Sequence, residues 1–210
     1  IIVENKKDFK IKDLINYSLS LYEDQGFEIK NKLLNNELLD FFMERLKYYM
    51  KEENIRNDII QASTYSFNLD QSVIIFNKAK NLNKIITKTE GLDIIASYKR
   101  ASNILENEIK NNELEISNKT DPVLFENDYE KNLYQKIHEL RKYFTSINRD
   151  ENFDLTLKNL SESKKVIYEF FDNVKVNDED KTIQKNRLEL LNMLCKTFDN
   201  YIIFSNIESI

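Results

Sequence analysis

The sequence predicts an all-α fold, a single helical bundle of about eight helices over residues 1–210, and three observations carry that prediction. Two Gly and one Pro in 210 residues are too few for a sandwich or barrel, which needs turn formers every ten or so positions. A composition of 41% hydrophobic and 32% charged residues is apolar enough to build a core and too apolar for disorder. Apolar residues also recur at the i, i+3, i+4 spacing of one helix face along nearly the whole chain.

Taken in order, Ile11, Leu14, Ile15, Leu19 and Tyr22 mark a first helix, which Gly26 ends. Residues 37–53 form a second, with Leu38, Phe42, Leu46 and Tyr49 as its stripe and Glu44, Lys47 and Lys51 on the wetter side. Shorter helices follow over 57–66 and about 71–87. A fifth, after Gly91, carries Ile94, Ile95, Tyr98, Ile104 and Leu105. The polar stretch that comes next, near 106–122, reads as the main surface connection within one domain. It closes on Asp121-Pro122, a pair that disfavours helix before the proline and suits a start just after it. Three longer helices complete the chain, over about 128–146, 152–173 and 180–206. Their stripes include Leu133, Ile137, Leu140 and Phe144, then Leu160, Phe170 and Phe171, then Leu188, Leu191, Leu194 and Phe198.

Rare residues limit the chemistry. Gly26 and Gly91 are isolated and cannot build a phosphate-binding glycine loop. One cysteine, Cys195, rules out an internal disulfide and a cysteine-based zinc site, and its apolar neighbours Leu191 and Phe198 mark a buried, inert thiol. The single histidine, His138, removes paired-His metal centres and reads as a helix-surface residue. Asp178-Glu179-Asp180 is the densest acidic run, placed where capping of the last helix explains it better than a metal does. No catalytic residue, metal ligand or cofactor site is expected, and a binding role fits better than an enzymatic one. No apolar run approaches the roughly 18–20 residues of a membrane span, and no signal-peptide pattern is present. The chain opens Ile-Ile-Val with no initiator Met, which suits a processed terminus or a domain of a longer protein.

The net charge of −5 lies entirely in the second half: residues 1–110 balance at 17 basic and 17 acidic groups, and residues 111–210 carry 14 and 19. Net charge therefore argues against a nonspecific polyanion binder while leaving room for a local patch. Lys80, Lys84 and Lys88 fall on one helix face, and Lys99 shares a face with Asn103 beside Arg100. A basic stripe next to side chains able to hydrogen-bond base edges is what RNA recognition requires. An ordinary solvated face in a lysine-rich chain would look the same.

Longer strings narrow the reading. LDFFMERL (39–46), DIIQA (58–62), KRASNIL (99–105) and FFDNVKVNDEDKTIQKNRLELL (170–191) occur in this order over nearly the whole chain. Together they resemble the C-terminal part of the β subunit of bacterial tetrameric glycyl-tRNA synthetases, with its FFD-x-V-x-V, NRL-x-LL, KR-x-SNIL and ERL patterns. The resemblance implies a helical anticodon-binding domain of the type shared with arginyl-tRNA synthetases, as a fragment of a longer, cytoplasmic β subunit. It implies a role in a glycine–tRNA ligase for a chain that is itself non-catalytic and takes no cofactor. ATP and Mg would belong to a separate α subunit. Expected partners are glycine tRNA, the remainder of the β subunit and the α subunit in a heterotetramer, with neither DNA nor membrane. Glycine tRNAs share two anticodon cytosines, bases that can be stacked on Tyr or Phe and read along their Watson–Crick edges.

On the matching strings, the base or anticodon-loop candidates are Arg45, Lys99, Arg100, Asn103, Asn186 and Arg187; Lys80, Lys84 and Lys88 are candidates for phosphates. Each base candidate has a structural competitor. Arg45 could pair with Asp172 or Asp178, Asn103 could cap or bridge helices, and Arg187 could be a buried ion pair bracing the 174–180 turn. The rival functions are the equivalent domain of another synthetase, such as the arginyl type, and a helical protein-interaction module that binds no RNA.

Overall fold

The computed structural model describes residues 2–5, 9–65, 68–87, 89–112, 116–117, 119–147 and 152–208. Among these residues the structure is all-helical, without strands. Its helices are α1 (Ile11–Asp24), α2 (Leu34–Glu52), α3 (Asn57–Thr64), α4 (Ser72–Ile85), α5 (Thr89–Asn112), α6 (Asp128–Ser146), α7 (Phe153–Asn173) and α8 (Lys181–Asp199). Short 3-10 turns occupy Leu69–Gln71, Pro122–Leu124 and Phe204–Asn206. The eight helices fall where apolar spacing predicts them, but the chain taken as one domain groups into two compact units, Ile1–Asn83 and Lys84–Ile210.

In the first unit, α1 packs on α2 and α2 on α3. Two positive-φ residues set the turns: Gly26, at φ 83°, follows α1, and Asn54, at φ 58°, follows α2. Only glycine adopts that region without strain, and asparagine is among the side chains that tolerate it best. The Asn83 side chain secures the second turn, donating to the Asn54 carbonyl at 3.2 Å and accepting the Arg56 amide at 3.1 Å. Met50, Ile59, Ile60, Ile75 and Ala79 are fully buried here. Between α1 and α2 an apolar groove of about 680 Å3 stays open, lined by Leu14, Leu19, Phe27, Leu34, Leu38 and Phe42.

The second unit is a bundle in which α5 packs against both α7 and α8, and α6 against the same two. Gly91 lies within the first turn of α5; a Cβ there would sit 2.2 Å from the Ile85 carbonyl oxygen, so the close return from α4 requires glycine. Side chains cap the later helices: Asn127 accepts the Glu130 amide at 3.1 Å, Asn152 that of Leu155 at 3.0 Å and Asp180 that of Thr182 at 2.7 Å. The acidic run 178–180 is thus a helix start, as its position implies.

Two boundaries differ most from the apolar periodicity. Helix α5 continues to Asn112, into the stretch expected as a loop. Helix α8 stops at Asp199 instead of running to about 206. The cause is Asp199 itself, which accepts the Tyr98 hydroxyl at 3.0 Å and the Phe204 amide at 2.9 Å and so folds the tail back. Tyr201, Ile202, Phe204 and Ile207 are buried by that reversal, Tyr201 stacking on Phe144 at 4.8 Å between centroids.

Candidate nucleic-acid interface

Helices α5 and α7 run alongside each other with matched register. Asp93 of α5 pairs with Lys164 of α7, and seven residues further along both helices the Arg100 guanidinium lies over the Phe171 ring, 4.4 Å from its centroid. The Lys164, Tyr168 and Phe171 side chains form one stripe of α7 at helical spacing. Tyr168 is exposed, with the Lys164 ammonium 5.8 Å from its ring centroid. On α5, Arg100 and Asn103 are exposed and Lys99 is half-buried. Arg100 has no carboxylate partner among the described residues, and no described residue hydrogen-bonds the Asn103 side chain.

This seam joins the three elements that single-stranded RNA demands. The ring of Tyr168 offers a stacking face, and Arg100 offers a planar cation already desolvated on one side by Phe171. Asn103 offers an amide with both donor and acceptor for a base edge. The sequence singles out neither Lys164 nor Tyr168, and places Phe171 only in the apolar stripe of its helix. The signal for them was the i, i+4, i+7 spacing on a helix that also carries Lys165.

Other candidates go elsewhere. Asn186 and Arg187, expected to touch RNA, are each only 4% exposed. Asn186 holds the Asp121 backbone, accepting its amide at 2.7 Å and donating to its carbonyl at 3.0 Å. Arg187 donates to Glu130 at 3.0 Å, Glu126 and Asp178 at 2.6 Å each and the Lys175 carbonyl at 3.0 Å. Four of its five N–H donors are spent on bracing, so the ion pair named as its structural competitor is formed. Their neighbours do the same work: Glu189 accepts the Ser117 hydroxyl at 2.9 Å, and Gln184 donates to Glu108 at 3.2 Å. The polar connection before α6 is therefore pinned to the first half of α8 by buried polar side chains.

In the first unit, Arg45 is exposed on α2 and lies over Phe41, 5.2 Å from its centroid; Asp178, one of the carboxylates named as a possible partner for it, is held by Arg187. Lys80 is committed to Glu53 at 2.6 Å. Lys84 is exposed at the end of α4, in the second unit. Lys88 lies outside the described residues.

The rare groups are inert. Burial pushes the Cys195 thiol up to about 12, which leaves no thiolate at neutral pH. His138 is exposed and rests edge-on against Tyr134, 4.5 Å between centroids. Among the described residues no three His, Cys, Asp or Glu side chains converge as a metal site, and no helix is long and apolar enough to cross a membrane.

Residues 94–208 match the model of the DALR anticodon binding domain, a stretch that lies wholly within the second unit and includes the α5–α7 seam. Three curated relatives, each named as a glycine–tRNA ligase beta subunit, align over nearly all of this chain. That of Rickettsia africae (strain ESF-5) is 34% identical over 208 residues, covering 99% of this chain and 29% of the relative. That of Rickettsia bellii (strain OSU 85-389) is 33% identical over 213 residues, covering 99% and 28%. That of Rickettsia typhi (strain ATCC VR-144 / Wilmington) is 31% identical over 210 residues, covering 97% and 28%. The chain spans less than a third of the length of these relatives.

Proposed function

Because this chain belongs to the DALR anticodon-binding family, we propose that it recognises the anticodon arm of glycine tRNA. It does so as part of a glycine–tRNA ligase beta subunit, holding the tRNA while an α subunit charges the acceptor end. The chain is non-catalytic by itself and needs no cofactor; ATP and Mg act in the α subunit, within a cytoplasmic heterotetramer. The relatives' shared name favours glycine tRNA over the tRNA of an arginyl-type synthetase.

The observation that carries this reading is the α5–α7 seam inside the matched segment: Arg100 poised over Phe171, with Asn103 one turn further along α5 and Tyr168 exposed one turn earlier along α7. A base splayed from the anticodon loop can stack on Tyr168 or on the Arg100 plane, while the Asn103 amide meets a Watson–Crick edge. Lys99, and Lys84 at the end of α4, take the phosphates, with a salt dependence that follows the number of contacts.

The test compares two transcripts, glycine tRNA and a copy whose two anticodon cytosines are replaced, in a salt titration of binding. Tighter binding of the natural transcript by about tenfold or more, the worth of one or two lost hydrogen bonds, supports base reading. Arg100→Gln and Asn103→Ala should each shrink that preference. Equal binding of both transcripts, or binding of neither at low salt, overturns it and moves a protein-interaction role ahead.

A further inference from the structure

A second surface repeats the device of the α5–α7 seam in a unit that the anticodon family model does not cover. On the exposed side of α2, Phe41, Arg45 and Tyr48 follow at i, i+4 and i+7, and Lys51 comes one turn later. Phe41 is 50% and Tyr48 56% exposed, so both rings present a face to solvent. The Arg45 guanidinium lies over Phe41 as Arg100 lies over Phe171. With Lys47 and with Gln61 of α3, these residues line a shallow hollow of about 340 Å3, at the lower end of ligand-sized sites. The one carboxylate in the hollow, Glu44, is taken by Lys47 at 2.8 Å. Arg45 and Lys51 have no carboxylate partner among the described residues, and the Tyr48 ring has no aromatic one.

We propose that this α2 face is a second RNA-binding surface, on which Tyr48 and the Phe41–Arg45 pair stack an unpaired nucleotide of the tRNA while Arg45 and Lys51 hold flanking phosphates. The proposal rests on the tRNA reading above and extends it beyond the family-matched segment. Charge decides between RNA and a protein partner. An apolar protein surface would leave two unpaired cations buried at a cost, whereas phosphates neutralise both and every base presents a face to the rings. Gln61 adds a donor and an acceptor at the edge of the hollow, the equipment for hydrogen-bonding a stacked base. The surface is sequence-tolerant by construction, so it adds affinity to both natural and altered anticodons alike.

The experiment uses the whole 210-residue chain with the same two transcripts, the natural one and the one with both anticodon cytosines replaced. Tyr48→Ser should weaken binding of both transcripts by one common factor, roughly 5- to 150-fold for a lost base stack, and Tyr48→Phe should restore it. The double variant Arg45→Gln with Lys51→Gln should lower the slope of log affinity against log salt by about 1.4–1.8, two phosphate contacts' worth. Thermal melts check that the variants fold, which their exposure makes the expected result. If the unaltered chain prefers the natural transcript and Tyr48→Ser leaves both affinities unchanged, the α2 surface is not an RNA site, while anticodon reading stands. If the unaltered chain shows no preference and Tyr48→Ser weakens both, anticodon reading falls and the α2 surface stands. Binding of neither transcript by the unaltered chain overturns both.

Discussion

Helix α8 buries eleven of its nineteen residues, whereas α1 and α2 bury two of fourteen and two of nineteen. The two units that hold these helices spend their side chains differently. In the second, aromatic rings close on one another, as Phe198 does on Phe204 at 4.9 Å, and the buried charges of Glu130 and Arg187 are paired. In the first, Tyr17, Tyr22, Phe27, Leu33, Phe41 and Tyr48 all stand more than 50% exposed or at that mark, and a groove stays open between two helices. Apolar patches on that scale mark surfaces that do something besides close a core. The contrast teaches that the unit carrying the family match closes on its own core, whereas the other leaves much of its apolar surface open. The matched unit is built as a closely packed frame, and the other leaves more of its large side chains at the surface.

The largest effect expected from breaking this contrast is at Arg187. Arg187→Met removes the cation from among Glu126, Glu130 and Asp178, of which Glu130 is fully buried, and leaves carboxylates with no counter-charge. Urea unfolding should show a loss of about 3–5 kcal/mol, because a buried ion that loses its partner keeps its full desolvation cost. In the first unit, Lys80→Ala breaks a half-exposed pair with Glu53 and should cost less than about 1 kcal/mol. Equal losses at the two sites would erase the distinction between frame and surface.

Core truncations sharpen it further. Leu194 is fully buried in α8, and Leu194→Ala should cost about 2–5 kcal/mol through lost burial and the cavity left behind. Leu14 is 44% exposed on the α1 side of the groove, so its truncation, Leu14→Ala, should cost less than about 1 kcal/mol. Melting temperatures of the two variants, measured beside the unaltered chain, check the ordering.

These features divide by how far apart in sequence their causes lie. Helix positions were legible because i, i+3, i+4 spacing is local, and the caps at Asn127, Asn152 and Asp180 act within three residues. The end of α8 was not, since it depends on Tyr98 reaching Asp199 across 101 positions. The same holds for Asn186 and Arg187. In sequence they are a polar pair on a helix, ready for RNA; their burial is set by Asp121 and Glu130, 65 and 57 residues away. At the seam, Lys99, Arg100 and Asn103 could be read from one string, but Phe171 and Tyr168 become their neighbours only through the packing of α7 on α5. Charge and amide content are visible in sequence, whereas exposure is a property of tertiary contacts.

The smallest effect concerns pH, and it tests whether the polar frame of the second unit holds by charge. Hydrogen bonds from the Asp180 backbone amide, and then from Arg187, hold the Asp178 carboxyl below its ordinary 3.8. A carboxylate whose folded value is depressed contributes stability that is fully present above its unfolded value and is lost as pH falls through the folded one. Asp178→Asn should therefore melt below the unaltered chain at pH 7, and the gap should start to narrow as pH falls below the ordinary carboxylate value and close as it falls through the lower folded one. Asp199 has the opposite sign: burial raises its carboxyl above the ordinary range, so it favours the folded state more as the solution becomes acid. Its contribution is common to both proteins and cancels in the difference. A gap that stays constant from pH 7 to pH 3 would mean that Asp178 holds the 174–180 turn by its shape and hydrogen bonds, with its charge contributing nothing.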